Sequence, residues 1–134
     1  MEKSVGIGKP SRGMKMSKIK SRIVEKPWGH EEIWAETKDY VAKRMCIKPG
    51  TRMSLQYHQK KEETVFVLSG TLRVWSSDSN SDYEDLHPGE IFHVSPNQVH
   101  RFGAPPGKYN TLIMEVSTPY LEDVIRLADD FFRE

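Results

Sequence analysis

The sequence predicts an all-β fold, an antiparallel sandwich or barrel, and two observations carry that reading. Short apolar segments rich in β-branched and aromatic residues recur from Ile23 onward, as in TVFVLSG at Thr64–Gly70. Such side chains fit a pleated, half-buried surface. Turn formers punctuate the segments: Pro49-Gly50, His87-Pro88-Gly89 and the SPNQ of Ser95–Gln98. Many short strands so spaced are the pattern of sandwiches and barrels.

Residues 1–20 are rich in Gly, Lys and Ser. They hold too few apolar groups to offset the entropy of ordering, so a disordered basic arm is expected, followed by one domain over 21–134. The VGIG within the arm follows no strand, which argues against a nucleotide-binding loop. EEIW at Glu31–Trp34 and DYVAKRMCI at Asp39–Ile47 open the strand series. After the Pro49-Gly50 turn, RMSLQYH at Arg52–His58 alternates loosely, and the polar QKKE of Gln59–Glu62 turns the chain into TVFVLSG. TLRVWSS at Thr71–Ser77 is the next strand, and DSNSDYED at Asp78–Asp85 reads as a loop. EIFHV, VHRF and TLIMEV are further strands, with the loop GAPPGKYN before the last. Only the C-terminal stretch has helical spacing. There Val124, Leu127 and Phe131 share a face and Pro119 stands where a helix begins, so a short C-terminal helix is expected.

A chain of 134 residues fits one domain with a modest core. The formal net charge of +1 gives no strong field to attract nucleic acid. The basic arm reads as a solvated tail, and no nucleic-acid partner is expected. The single cysteine, Cys46, excludes an intrachain disulfide and a cysteine-based zinc knuckle, and agrees with a reducing compartment. No stretch approaches the length of a membrane span, and the basic N-terminus lacks the apolar core of a signal peptide. The expected location is the cytoplasm, away from the membrane.

One cluster of polar residues needs an explanation. Gln56 and His58 are two apart, so in a strand they project to the same side. The turn at Gln59–Glu62 then resets the direction, and Glu63 leads a strand in phase with Val65 and Val67. His100 shares a face with Phe102. Two neighbouring strands can thus aim Gln56, His58 and Glu63 into one interior, and His100, after the SPNQ turn, can supply a fourth group. Imidazole and oxygen donors suit zinc, iron, manganese, nickel or cobalt, with positions left open for substrate. A surface turn with satisfied polar groups gives the same spacing. His30, His87 and His93 have weaker claims, and His93 reads as a structural or surface histidine.

These residues, in their setting, resemble the cupin domain of the type II mannose-6-phosphate isomerases, which often forms the C-terminal part of bifunctional mannose-1-phosphate guanylyltransferases. The resemblance rests on KPWG at Lys26–Gly29, AKRMCIKPGTRMSLQYH at Ala42–His58, VFVLSG at Val65–Gly70, VHRF at Val99–Phe102 and MEV at Met114–Val116. The Gln-x-His after Pro-Gly-x-Arg-x-Ser-Leu is its most specific part. It implies a cupin double-stranded β-helix, a jelly-roll barrel. By position, Gln56, His58, Glu63 and His100 fall on the family's metal sites, with zinc the usual ion. Ser95 and Asn97 depart from the Pro and Gly of the second motif, though Asn97 tolerates a left-handed backbone. The loop at Ser76–Asp85 is longer than expected. The guanylyltransferase part is absent from this sequence, so nucleotide-sugar synthesis by that route is not expected.

The implied reaction interconverts mannose 6-phosphate and fructose 6-phosphate through an enediol. It needs a cation to steady charge on two sugar oxygens and a base near the migrating proton. Lys61 and Glu63 are the expected catalytic residues, and Glu115 is a further candidate base from the last strand. Arg44, Arg52, Arg101 and Arg126 are the expected phosphate-binding cations. Another cupin sugar enzyme, a dioxygenase or a non-catalytic sugar-binding cupin fits the same fold. A phosphosugar and a second copy of the chain, forming a homodimer, are the expected partners.

Overall fold

The structure, a computed structural model, describes residues 6–133. The first five residues of the basic arm and Glu134 lie outside the described residues. Residues 6–20 form no strand and are exposed. The described chain forms eleven strands and no helix: β1 (Arg22–Lys26), β2 (Gly29–Glu36), β3 (Val41–Ile47), β4 (Leu55–Tyr57), β5 (Glu63–Ser69), β6 (Leu72–Trp75), β7 (Tyr83–Leu86), β8 (Ile91–Val94), β9 (Arg101–Gly103), β10 (Thr111–Ser117) and β11 (Ile125–Ala128). No helix among these residues is long and apolar enough to cross a membrane.

The strands pair antiparallel throughout, and they build two layers. One is a six-stranded sheet ordered β1-β2-β3-β10-β5-β8. The other joins a three-stranded sheet, β7-β6-β9, to the pair β11-β4. The link between those two pieces is a pair of isolated bridges, Arg52↔Gly103 and Gln56↔His100. This is the jelly-roll, double-stranded β-helix arrangement expected from the sequence.

Alternation along each strand explains why the layers close on each other. In β5, Glu63, Val65 and Val67 face inward while Phe66 and Leu68 face out. In β10, Thr111, Ile113, Glu115 and Ser117 are the inward set. Ile47, Val65, Val67, Leu72, Val94 and Ile113 have no exposed surface and form the floor of the core. Full burial of each such side chain stabilises by roughly 1.5–3 kcal/mol.

Two expectations from the sequence change. The C-terminal stretch is not a helix. β11 instead pairs with β4, placing Ile125 opposite Tyr57 and Arg126 opposite Gln56. Val124, Leu127 and Phe131 keep helical spacing, but pairing of Ile125–Ala128 with the edge of β4 decides the outcome. Within the expected loop at Asp78–Asp85, Tyr83–Leu86 forms β7. It is a polar edge strand whose pairing with β6 includes Arg73 opposite Asp85.

Candidate metal centre and its cavity

Backbone pairing sets the geometry. Gln56 and His100 exchange both main-chain hydrogen bonds, at 3.0 and 2.9 Å, so their side chains stand side by side on one face. His58 leaves β4 two residues later, and Glu63 opens β5. The ligand atoms of His58, Glu63 and His100 lie within 4.8 Å of one another, and all three residues are buried. The sequence singled out these residues, and the fold brings them to one point.

Hydrogen bonds fix how the two rings present themselves. His58 Nδ1 bonds the main-chain oxygen of Asp123, and His100 Nδ1 bonds the main-chain oxygen of Gln98 at 2.9 Å. A carbonyl oxygen only accepts, so each Nδ1 carries a hydrogen. In the neutral ring Nε2 is then a bare acceptor. Both Nε2 atoms are buried without a hydrogen-bond partner. They face Glu63 Oε1 at 3.6 Å from His58 and 3.1 Å from His100. Three acceptors turned on one point repel unless a proton or a cation lies between them. A divalent ion of the zinc or iron type fits this donor set, with each ring oriented by a carbonyl behind it. Gln56 lines the same cavity, and its Oε1 accepts from the Ser54 hydroxyl at 2.7 Å.

Asp123 holds the site from behind. Its carboxylate accepts the N–H groups of Gln59, Lys60 and Lys61 at 3.0, 2.7 and 2.9 Å. These bonds pin the turn between His58 and Glu63 while the main-chain oxygen of the same residue orients His58. Desolvation works against the charge, but the three backbone bonds outweigh it and hold the carboxyl below its usual range. On the other side, Asn97 adopts φ +67° and donates its N–H to the His58 oxygen at 2.6 Å. The left-handed backbone expected of Asn97 is present.

Beside the triad runs a chain of buried charges. Lys61 Nζ lies 3.1 Å from Glu63 Oε2 and 3.3 Å from Glu115 Oε2. Glu115 reaches Lys43 at 3.7 Å, and Lys43 reaches Glu31 at 3.2 Å. Burial would lower the Lys61 ammonium, but Glu115 and Glu63 outweigh it and raise the group, so Lys61 stays charged. Burial, and then the charge of Glu63, pushes Glu115 up to about 8. Burial also pushes Glu63 up. Its close contacts with Glu115, His100 and His58, and the Lys61 charge, outweigh that and hold it well below the usual range.

These groups line a cavity of about 300 Å³. Its walls include Trp28, Met45, Met53 and Phe102. Of the four arginines expected to meet a phosphate, Arg126 lines the cavity and the other three do not. Arg44 is half-exposed and paired with Glu32 at 2.8 Å. Arg52 is held by Asp130 at 2.6 and 2.9 Å and lies over the Trp75 ring. Arg101 is 1% exposed and donates to the main-chain oxygens of Met53 and Ala128, so it ties the C-terminal segment to the barrel. These three arginines are thus held by other partners.

Sequence reasoning missed Asp123, Lys43 and Glu31, together with the cavity cations Arg22, Lys26 and Arg133. Lys43 did leave a signal, because it stands in the inward phase of β3 between Val41 and Met45. His93 is half-exposed, contacting Thr64 and Glu62, in line with a surface role.

Comparison with known proteins agrees with this architecture. The family model described as mannose-6-phosphate isomerase C-terminal matches residues 13–129. Mannose-1-phosphate guanylyltransferase ManC of Salmonella typhimurium is 33% identical over 115 residues, 84% of this chain and 23% of that protein. The chain thus spans about a quarter of the length of that relative. Among solved structures, a double-stranded β-helix protein from Klebsiella pneumoniae superposes with a TM-score of 0.62 at 21% identity, covering 91% of this chain and 90% of that one. An RmlC-like cupin from Shewanella frigidimarina superposes with a TM-score of 0.63 at 16% identity, covering 84% and 95%. With the match spanning every strand of the barrel and both histidines of the cluster, the chain belongs to the mannose-6-phosphate isomerase C-terminal family of cupins.

Proposed function

We propose that this chain is a metal-dependent aldose–ketose isomerase acting on a phosphosugar, with mannose 6-phosphate and fructose 6-phosphate as the pair interconverted. The observation that carries the reading is the buried convergence of His58 Nε2, His100 Nε2 and Glu63 beside a cavity that His58, Glu63, Lys61 and Glu115 line. His58, Glu63 and His100, with Gln56, would hold the ion, zinc first and iron, manganese, nickel or cobalt as alternatives. When bound, the ion supplies Lewis-acid stabilisation of charge on the sugar oxygens.

The remaining work falls to the chain's own groups. Isomerisation moves one proton from C2 to C1 and a second from the C2 hydroxyl to the C1 oxygen, so one group must take the carbon-bound proton and return it. A carboxyl with affinity near neutral pH does both well. Glu115, buried beside Lys61 and facing the cavity, is that group in this reading. Lys61 stays protonated beside Glu63 and Glu115 and serves as a hydrogen-bond donor to a substrate oxygen rather than as the base. Glu63 has its proton affinity held low and is a ligand.

The test is direct. Chelator-treated protein is assayed with mannose 6-phosphate and a panel of hexose and pentose phosphates, before and after each metal is restored. Recovery of aldose–ketose conversion is expected. Metal-loaded protein that converts no phosphosugar overturns the reading. The cytoplasm is the proposed compartment. The proposed partner is a second copy of the chain, packed on the outer face of the six-stranded sheet. There Phe66 stands between Ile91 and Met114 in register, and Phe66 and Ile91 are 41% and 61% exposed. A sedimentation mass equal to one 15.5 kDa chain would refute that pairing.

A further inference from the structure

The stretch Lys26-Pro27-Trp28-Gly29 has no part in the reading above, yet three restraints fix it. Trp28 is buried in the core at 3% exposure. Its main-chain oxygen accepts from the Lys48 N–H at 2.9 Å and the Thr51 hydroxyl at 3.2 Å. Gly29 has φ +150°, and a Cβ there would run into the main-chain oxygen of Cys46. The turn joins β1 to β2 with Lys26 opposite Gly29. Pinning a hairpin turn pins the register of its strands, and register decides which side chains face inward. Arg22, Val24 and Lys26 therefore line the cavity, while Ile23 and Glu25 are exposed outside it.

The cavity's cations are not equivalent. Lys43 and Lys61 belong to the buried charge chain. Arg22 is paired with Glu36 at 3.1 Å and Arg133 with Asp129 at 2.7 Å. Arg126 stands next to Gln56 across the β4–β11 pair, close to the metal centre. Lys26 is half-buried, and no carboxylate pairs with it among the described residues. An ammonium on a flexible stem that lines the cavity and has no carboxylate among the described residues within ion-pair distance is suited to capture a phosphate as a point charge.

We propose that Lys26 is the phosphate-binding cation of the cavity, holding the phosphoryl end of the substrate while its reacting end lies at His58, Glu63 and His100. This rests on the isomerase reading for the identity of the sugar, but not for the anion. The experiment is calorimetric titration of the full chain, wild type and Lys26→Met, Lys26→Gln and Lys26→Arg variants. The probes are a hexitol 6-phosphate, the unphosphorylated hexitol and inorganic phosphate, with bound metal measured in each protein. Lys26→Met and Lys26→Gln are expected to weaken hexitol 6-phosphate binding about tenfold or more, as for loss of a hydrogen bond to a charged group. Metal content and hexitol binding stay at the wild-type level, and Lys26→Arg restores most of the affinity. Wild-type affinity for both phosphorylated probes in Lys26→Met and Lys26→Gln overturns the proposal, as does a wild type that binds neither, or equal losses for hexitol and hexitol 6-phosphate. Binding of inorganic phosphate through Lys26 without hexitol 6-phosphate binding upholds the anion site and removes the isomerase reading.

Discussion

The two histidines of the cluster have one nitrogen committed to a main-chain oxygen and the other left bare toward Glu63. That arrangement predicts that a His58→Ala, His100→Ala protein retains less than about a tenth of the wild-type metal, since removing two of the ligands leaves a weak site. Elemental analysis of the purified protein checks it. Glu115→Gln keeps the shape of the side chain but cannot carry a migrating proton. Its expected effect is a loss of about 10²–10⁴ in kcat with metal content unchanged. Retention of wild-type kcat would move the base elsewhere. The site was largely legible at this scale. Gln56, His58 and Glu63 declared themselves by spacing and phase, and His100 by sharing a face with Phe102. Asp123 did not, because its contribution is three backbone hydrogen bonds across more than sixty positions of sequence. A pattern of side chains carries no trace of such bonds.

Strands and turns give a second set of expectations. Gly29 is required by its backbone and by the nearness of β3, so Gly29→Ala should destabilise by roughly 1–3 kcal/mol or more. The midpoint shift in urea measures it. The Arg52–Asp130 pair ties the chain before β4 to the segment after β11. Its hydrogen bonds hold the Asp130 carboxyl below the usual aspartate range. The folded carboxyl therefore binds a proton less readily than the unfolded one. Its contribution is complete above the ordinary aspartate pKa and disappears as pH falls through the depressed value. Asp130→Asn should cost under about 1 kcal/mol at neutral pH, because the pair is partly exposed, and the deficit should vanish in acid. Melting curves across that window test both statements. The strands that alternate cleanly, such as those of Thr64–Gly70 and Thr111–Val116, were readable in advance. β7 and β11 were not. The first is too polar to stand out, and the second takes its shape from the open edge of β4 rather than from its own period.

At the scale of the molecule, one barrel encloses both the apolar core and the charged cavity, with Met45, Met53 and Phe102 common to both. Ion binding to the folded chain alone must then raise the stability of the whole. With free metal at about a hundred times its dissociation constant the gain is about 2.7 kcal/mol, or roughly 10 °C in Tm. Chelation should remove it, and differential scanning calorimetry with and without chelator reads the difference. Identical Tm values would mean that no ion binds the folded state preferentially. The general plan, two antiparallel layers with the polar cluster in the mouth, followed from the sequence. The closing of the cavity by the segment after β10 did not, since it depends on contacts between distant parts of the chain.

That segment has a consequence for biogenesis. Synthesis runs from the N-terminus, so the ribosome delivers Asp123 and Arg126 after ten of the eleven strands have been made. Until Asp123 arrives, His58 lacks the carbonyl that orients its ring, and the turn leading to Glu63 lacks its clamp. A nascent barrel can bury its valines early, but the setting of His58 and Glu63 is complete only once this late stretch has docked.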